Sequence, residues 1–138
     1  MARYALGLDY GTESARAILV DLDTGDEAAQ SVRPYPDGVI SERLPIADGA
    51  VLGRDWALQN PADWITVLKA LVPEVLKASG AKGPDVVGIG VDFTACTVLP
   101  TDAQGTPLCQ MERWRAEPNA WPKLWKHHAA DPEVREIM

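Results

Sequence analysis

The first third of the chain alternates short apolar runs with turn-forming residues, and helical spacing takes over in the middle. Tyr4 to Asp9 reads as a strand, and Ala15 to Asp21 as a second that runs into the turn Asp23-Thr24-Gly25-Asp26. A third runs from Glu27 to about Arg33. Connections this short allow only an antiparallel meander, because a parallel return needs a crossover of roughly a dozen residues. Pro34 and Pro36 then stop regular pairing, and residues 37 to 58 read as irregular, with a short strand at Val39 to Leu44.

From Pro61 to Ser79, Trp64, Val67, Leu68, Leu71, Val72, Val75 and Leu76 recur at the spacing of one helical face. Asn60 suits the N-cap, Pro61 the first helical position and Asp63 the positive end of the helix dipole, and Gly80 suits the stop. Pro73 is discordant: it removes one backbone hydrogen bond, so the pattern predicts a kink near Ala70 to Leu71 or a split into two segments. Val86 to Phe93 is an almost unbroken apolar run, which predicts a strand buried on both faces. A hairpin is predicted around Asp102-Ala103-Gln104-Gly105. A helix is predicted from Ala120 to about Ala130, with Asn119 as its cap and Trp121, Leu124, Trp125 and His128 on one face. The last helix signal starts at Asp131-Pro132-Glu133, and its shortness suggests the opening part of a longer protein.

The length of 138 residues fits one domain with a sizeable core, or one lobe of something larger. A net charge of −7 argues against a phosphate-backbone binder, whose footprint is basic. The only early apolar segment contains Asp9 and lacks the pattern of a secretory leader, so a cytoplasmic location is expected. Cys96 and Cys109 have no Cys-x-x-Cys spacing and read as reduced, non-catalytic thiols. The phosphate loop Gly-x-x-x-x-Gly-Lys-Ser/Thr and the Gly-x-Ser-x-Gly elbow are absent. Gly88-Ile89-Gly90 fails as a dinucleotide fingerprint because Phe93 stands at the third glycine position. His127 and His128 read as solvated or satisfied residues at a helix end.

The chemical signal is concentrated in Gly7 to Arg16. Asp9 ends a strand where it can hold hydrated Mg²⁺, Gly11 permits a tight turn whose N–H groups face an anion, and Thr12 and Ser14 add hydroxyl donors beside Arg16. Those residues also fit an ordinary hairpin turn. Asp92 ends a second strand, followed by Thr94, and ligands in open α/β sheets collect beyond the carboxyl ends of strands. Trp125 fits either a core position or an apolar wall for a sugar.

Together, Gly7-Leu8-Asp9-Tyr10-Gly11-Thr12-Glu13-Ser14, Trp56-Ala57-Leu58-Gln59-Asn60-Pro61, Asp92-Phe93-Thr94-Ala95-Cys96-Thr97 and Lys123-Leu124-Trp125-Lys126-His127-His128 resemble the N-terminal part of FGGY carbohydrate kinases over essentially the whole chain. The resemblance implies an α/β, ribonuclease H-like fold of the actin-like ATPase and sugar kinase type. In it, residues 1–138 form an incomplete, sugar-side lobe, with a mixed sheet, the three-strand meander and packed helices. ATP and Mg²⁺ are the implied cofactors, with Asp9 positioning the metal and Gly11, Thr12, Ser14 and Arg16 facing the phosphates. Thr94, Ala95 and Trp125 are implied to line the sugar pocket, and Cys96 is a weaker candidate for it. The Thr-Ala-Cys version of the third segment points to L-ribulose as the sugar, in L-arabinose catabolism. The family's catalytic aspartate and its adenosine-binding segment are expected downstream, so this region alone is expected to be inactive. Another sugar or polyol kinase specificity stays open, as does self-association, and a ribonuclease H-like nuclease is the alternative from another class.

Overall fold

Strands β1 (Tyr4–Tyr10), β2 (Ser14–Asp21) and β3 (Glu27–Pro34) form the meander, and β4 (Val86–Phe93) joins beside β1 in the order β3-β2-β1-β4. The computed structural model describes residues 2–138. β1 pairs antiparallel with β2 and parallel with β4, so the sheet is mixed, as the sequence predicts. Between β3 and β4 runs helix α1 (Pro61–Ser79), the crossover that a parallel return requires.

The chain divides into two compact units. One contains Met1–Pro36 with Ala62–Thr94, and the other Asp37–Pro61 with Ala95–Met138. In the first unit the sheet turns one face to α1. Leu6, Leu8, Ala15, Ala17 and Leu19 pack against Val67, Leu71 and Val75, all buried. Alternate strand positions and every third or fourth helix position meet there because those are the side-chain periods of the two structures. Burial of each large aliphatic side chain contributes about 1.5–3 kcal/mol. The edge of β3 is tied to α1 by a polar clamp: Ser31 Oγ donates to Glu74 at 2.6 Å, and the Arg33 guanidinium pairs with the same carboxylate.

α1 is one helix of 19 residues, and Pro73 does not split it. Pro73 is exposed, and so is Lys69, whose carbonyl loses its helical partner there and can take water instead. Gly80 closes the helix at φ 73°, a left-handed conformation that suits glycine.

The burial expected of β4 is not found. Val87, Ile89, Val91 and Phe93 are 55%, 65%, 57% and 69% exposed. Its apolar pattern is that of an interior strand, yet among the described residues only β1 pairs with it, and α1 packs over β1 and β2.

The second unit is built from irregular segments joined by isolated backbone bridges. The strand expected at Val39 to Leu44 is reduced to single bridges, Ile40 with Leu58 and Arg43 with Val51. Around them Ile40, Leu44, Leu52, Leu58, Cys109, Ala120 and Trp121 form a buried cluster. The hairpin at 101 to 107 is a closed turn: Asp102 Oδ1 accepts from the N–H groups of Gln104 and Thr106, and Gly105 has φ 83°.

The helix expected from Ala120 to Ala130 does not form. A single 3-10 turn covers Pro118–Ala120, with Asn119 N–H donating to the Glu117 carboxylate, and no helix follows until α2 (Asp131–Ile137). Pro122 interrupts the segment, and its backbone pairs outward instead: Lys123 exchanges both hydrogen bonds with Val98, and Leu124 N–H donates to Ala57 O. Trp121 and Leu124 are therefore buried by a looped chain rather than by a helix face. Both cysteines are free. No described helix is long and apolar enough to cross a membrane.

Candidate functional site

The register brings the two strand-end acids together. Asp9 of β1 is paired with Arg16 of β2 on one side and with Asp92 of β4 on the other. Side chains alternate along a strand, so Leu6 and Leu8 face α1 while Gly7 and Asp9 face the opposite side, with Ile18, Arg16, Gly90 and Asp92 as lateral neighbours. These residues line a groove of about 480 Å³ on that face. Gly7 leaves room for its neighbour: an added Cβ would lie 2.8 Å from Ile18 Cγ2, and Ile18 would have to shift.

Within the groove Arg16 Nη1 donates to Asp9 Oδ2 at 3.1 Å. The Asp9 carboxylate thus already faces a cation, which suits a group expected to hold a metal or its waters. Asp92 accepts a hydrogen bond from the N–H of Phe93, so one of its oxygens supports the strand end. The parallel pairing puts the ends of β1 and β4 at one edge, and Thr94 N–H donates to Tyr10 O just beyond them.

The turn between β1 and β2 is tight. Gly11 N–H donates to Ser14 O at 2.9 Å, and an added Cβ at Gly11 would sit 3.0 Å from that oxygen. The Gly11 N–H thus closes the turn, and Gly11 sets the tight backbone that carries Thr12 and Ser14. Thr12 and Ser14 lie in the turn and at the start of β2, with Arg16 two residues on.

Tyr35 was missed from sequence. Its ring is buried, its hydroxyl donates to Gly11 O at 3.1 Å, and its N–H donates to Glu13 O at 3.0 Å. Burial first, and then Tyr10, Asp9 and Asp63, push the hydroxyl up to about 12, so it remains a neutral donor. The sequence signal was an aromatic residue held between Pro34 and Pro36 directly after a strand.

The expected sugar-side residues divide between the units. Thr94 closes the sheet unit, whereas Ala95, Cys96 and Trp125 belong to the other. Cys96 has φ 62°, a left-handed backbone that turns the chain sharply where the sheet ends. Trp125 is 56% exposed, at the tip of a turn closed by His127 N–H donating to Leu124 O. Lys123 is half-buried. Its ammonium donates to Asn119 O at 3.0 Å, and burial lowers its pKa.

The N-terminal domain of the FGGY family of carbohydrate kinases matches residues 4–138. The chain is 52% identical over 135 residues to a ribulokinase of Halalkalibacterium halodurans, covering 98% of this chain and 24% of that protein. It is 56% identical over 132 residues to a ribulokinase of Geobacillus thermodenitrificans, covering 96% and 23%. The chain thus spans about a quarter of the length of the curated relatives it matches. Among solved structures, a xylulose kinase from Rhodospirillum rubrum superposes with a TM-score of 0.72 at 26% identity, over 98% of this chain and 23% of that one.

Proposed function

Because this chain belongs to the FGGY family of carbohydrate kinases, we propose that it is the N-terminal, sugar-side part of a longer cytoplasmic kinase. The reaction is transfer of the γ-phosphoryl group of ATP to a ketopentose, with L-ribulose the substrate and L-ribulose 5-phosphate the product. The observation that carries this reading is the Asp9–Arg16 pair at the mouth of the Gly11–Ser14 turn, beside Asp92 on the parallel neighbour. The ribulokinase relatives support the choice of sugar.

Asp9 would hold Mg²⁺ through its waters, and Arg16 would leave Asp9 to meet a phosphate, a planar donor well matched to phosphate oxygens. Thr12 and Ser14 would donate hydroxyl hydrogen bonds from the turn that Tyr35 fixes from below. Mg²⁺, when bound, neutralises charge on the transferring group. Thr94 and Ala95 would line the sugar pocket, and Trp125 would offer its ring to the apolar C–H face of the sugar. The base that takes the hydroxyl proton is assigned outside residues 1–138, so this region is inactive alone.

The nuclease alternative has one point in its favour, the lateral pairing of Asp9 with Asp92. Against it stands the net charge of −7, where a nucleic-acid cleft would be basic.

The test is calorimetric titration of the full-length protein with L-ribulose, D-xylulose and glycerol. L-ribulose should bind most tightly, and preference for either competitor would defeat the substrate assignment. In the same protein Asp9→Asn should reduce phosphoryl transfer by about 100-fold or more while sugar binding persists.

A further inference from the structure

The segment that carries Trp125 is fastened to residues 55–59 by a short ladder. Gln59 N–H donates to Pro122 O at 3.2 Å, Leu58 bridges Lys123, Leu124 N–H donates to Ala57 O at 3.0 Å, and His128 N–H donates to Asp55 O at 3.0 Å. One rung is not backbone to backbone. The N–H of Ala57 donates at 3.2 Å to Nδ1 of His127. The imidazole stands in for a carbonyl, and it accepts only when Nδ1 is unprotonated, with the ring proton on Nε2. The ring is held upright by Trp56, edge to face at 4.9 Å and 89°. Trp125 and Lys126 lie between Leu124, whose own N–H donates to Ala57 O, and His127, whose N–H closes the turn and whose ring fastens its far end to the Ala57 N–H.

We propose that His127 is a positioning residue for Trp125: its neutral ring locks the Trp125 turn onto Ala57, and protonation releases it. A proton on Nδ1 would set an N–H against the Ala57 N–H and abolish the rung. The ionisable neighbours make the charged ring unwelcome. Lys123 and His128 lie on its own segment, and on the facing segment Arg54 and Asp55 pair with each other at 3.6 Å. Burial, then Lys123 and His128, hold the His127 pKa below the usual imidazole value. The lock is therefore complete above the unfolded value near 6.5 and is lost as pH falls through the lowered folded value.

The inference rests on the reading of Trp125 as a sugar wall, and the experiment separates the two. In the full-length protein, KM for L-ribulose should rise as pH falls from 7.5 towards 5, with kcat changing less. His127→Asn, whose side-chain oxygen can accept from Ala57, should keep the neutral-pH KM within about twofold and flatten the acid-side rise. His127→Phe, which has no acceptor, should raise KM about fivefold at every pH, the loss of one neutral hydrogen bond. An acid-side rise that persists unchanged in His127→Asn overturns the inference. If His127→Phe does not fold, ¹⁵N-alanine labelling gives a second readout: the Ala57 amide signal should titrate with a midpoint below 6.5 and should stop doing so in His127→Asn. An Ala57 signal insensitive to pH also overturns it. Trp125→Ala with unchanged KM removes the sugar-wall reading, and the amide titration then still decides whether the lock exists.

Discussion

Tyr35→Phe isolates the bond that fixes the phosphate-facing turn. The ring is only 5% exposed, and Phe keeps its shape, so packing changes little. What is lost is one neutral donor, at 3.1 Å from Gly11 O. Such a bond is worth about 0.5–1.5 kcal/mol, and because Gly11 is half-buried, water can partly replace the donor, so about 1 kcal/mol is expected. In urea denaturation of the chain at pH 7 the midpoint should fall with an unchanged slope. Alkaline pH supplies a second reading. Folding favours the neutral hydroxyl and raises its pKa from 10 to about 12, so the Tyr35 contribution is complete below 10 and declines as pH rises through about 12. Phe does not ionise, so the gap between the two proteins should narrow above pH 10. In the full-length kinase the variant should raise KM for ATP and leave KM for the sugar unchanged. Equal stability at pH 7, or a gap of constant size from pH 7 to pH 11, would refute the reasoning.

Two further substitutions probe the scaffold. Gly49→Ala should destabilise the chain by about 1–3 kcal/mol in chemical denaturation, because its Cβ would lie 2.3 Å from the carbonyl oxygen of buried Leu44. Glu74→Gln should cost stability mainly at neutral pH. Arg33, then Ser31, lower the Glu74 pKa, so its contribution is present above the usual value of 4.5 and lost as pH falls through the lowered one. The variant and the parent should therefore differ at pH 7 and converge in acid-unfolding curves as pH falls well below 4.5.

Much of the first unit was legible because its information is local. Turn residues between short apolar runs fixed the meander, and seven apolar positions at helical spacing fixed α1. The two strand-end acids were legible for another reason: each ends an apolar run, and a parallel β1–β4 arrangement, though distant in sequence, brings both ends to one edge. β4 misled because an apolar run reports only a preference for burial, while burial itself depends on which neighbours the fold supplies. The 120–130 segment misled in another way: Trp121, Leu124 and Trp125 have helical spacing, but Pro122 and the waiting partners at Ala57, Gln59 and Val98 favour pairing outside the segment. Tyr35 and His127 were invisible as functional residues because their partners, Gly11 and Ala57, are distant in sequence.

The interleaving of the two units has a consequence for how the chain is made. Met1–Pro36 needs Ala62–Thr94 to complete its sheet, while Asp37–Pro61 needs Ala95–Met138. No contiguous stretch encodes either unit, so neither can be cloned by choosing one start and one stop. During synthesis the meander can fold as soon as it emerges, but the β4-facing edge of β1 stays open until residues 86–93 arrive. An open apolar edge of that kind is a site for errant strand pairing, and pairings so distant in sequence form slowly. The nascent chain is therefore most exposed to misassembly while α1 is being translated, and slower elongation there should lower the yield of folded protein.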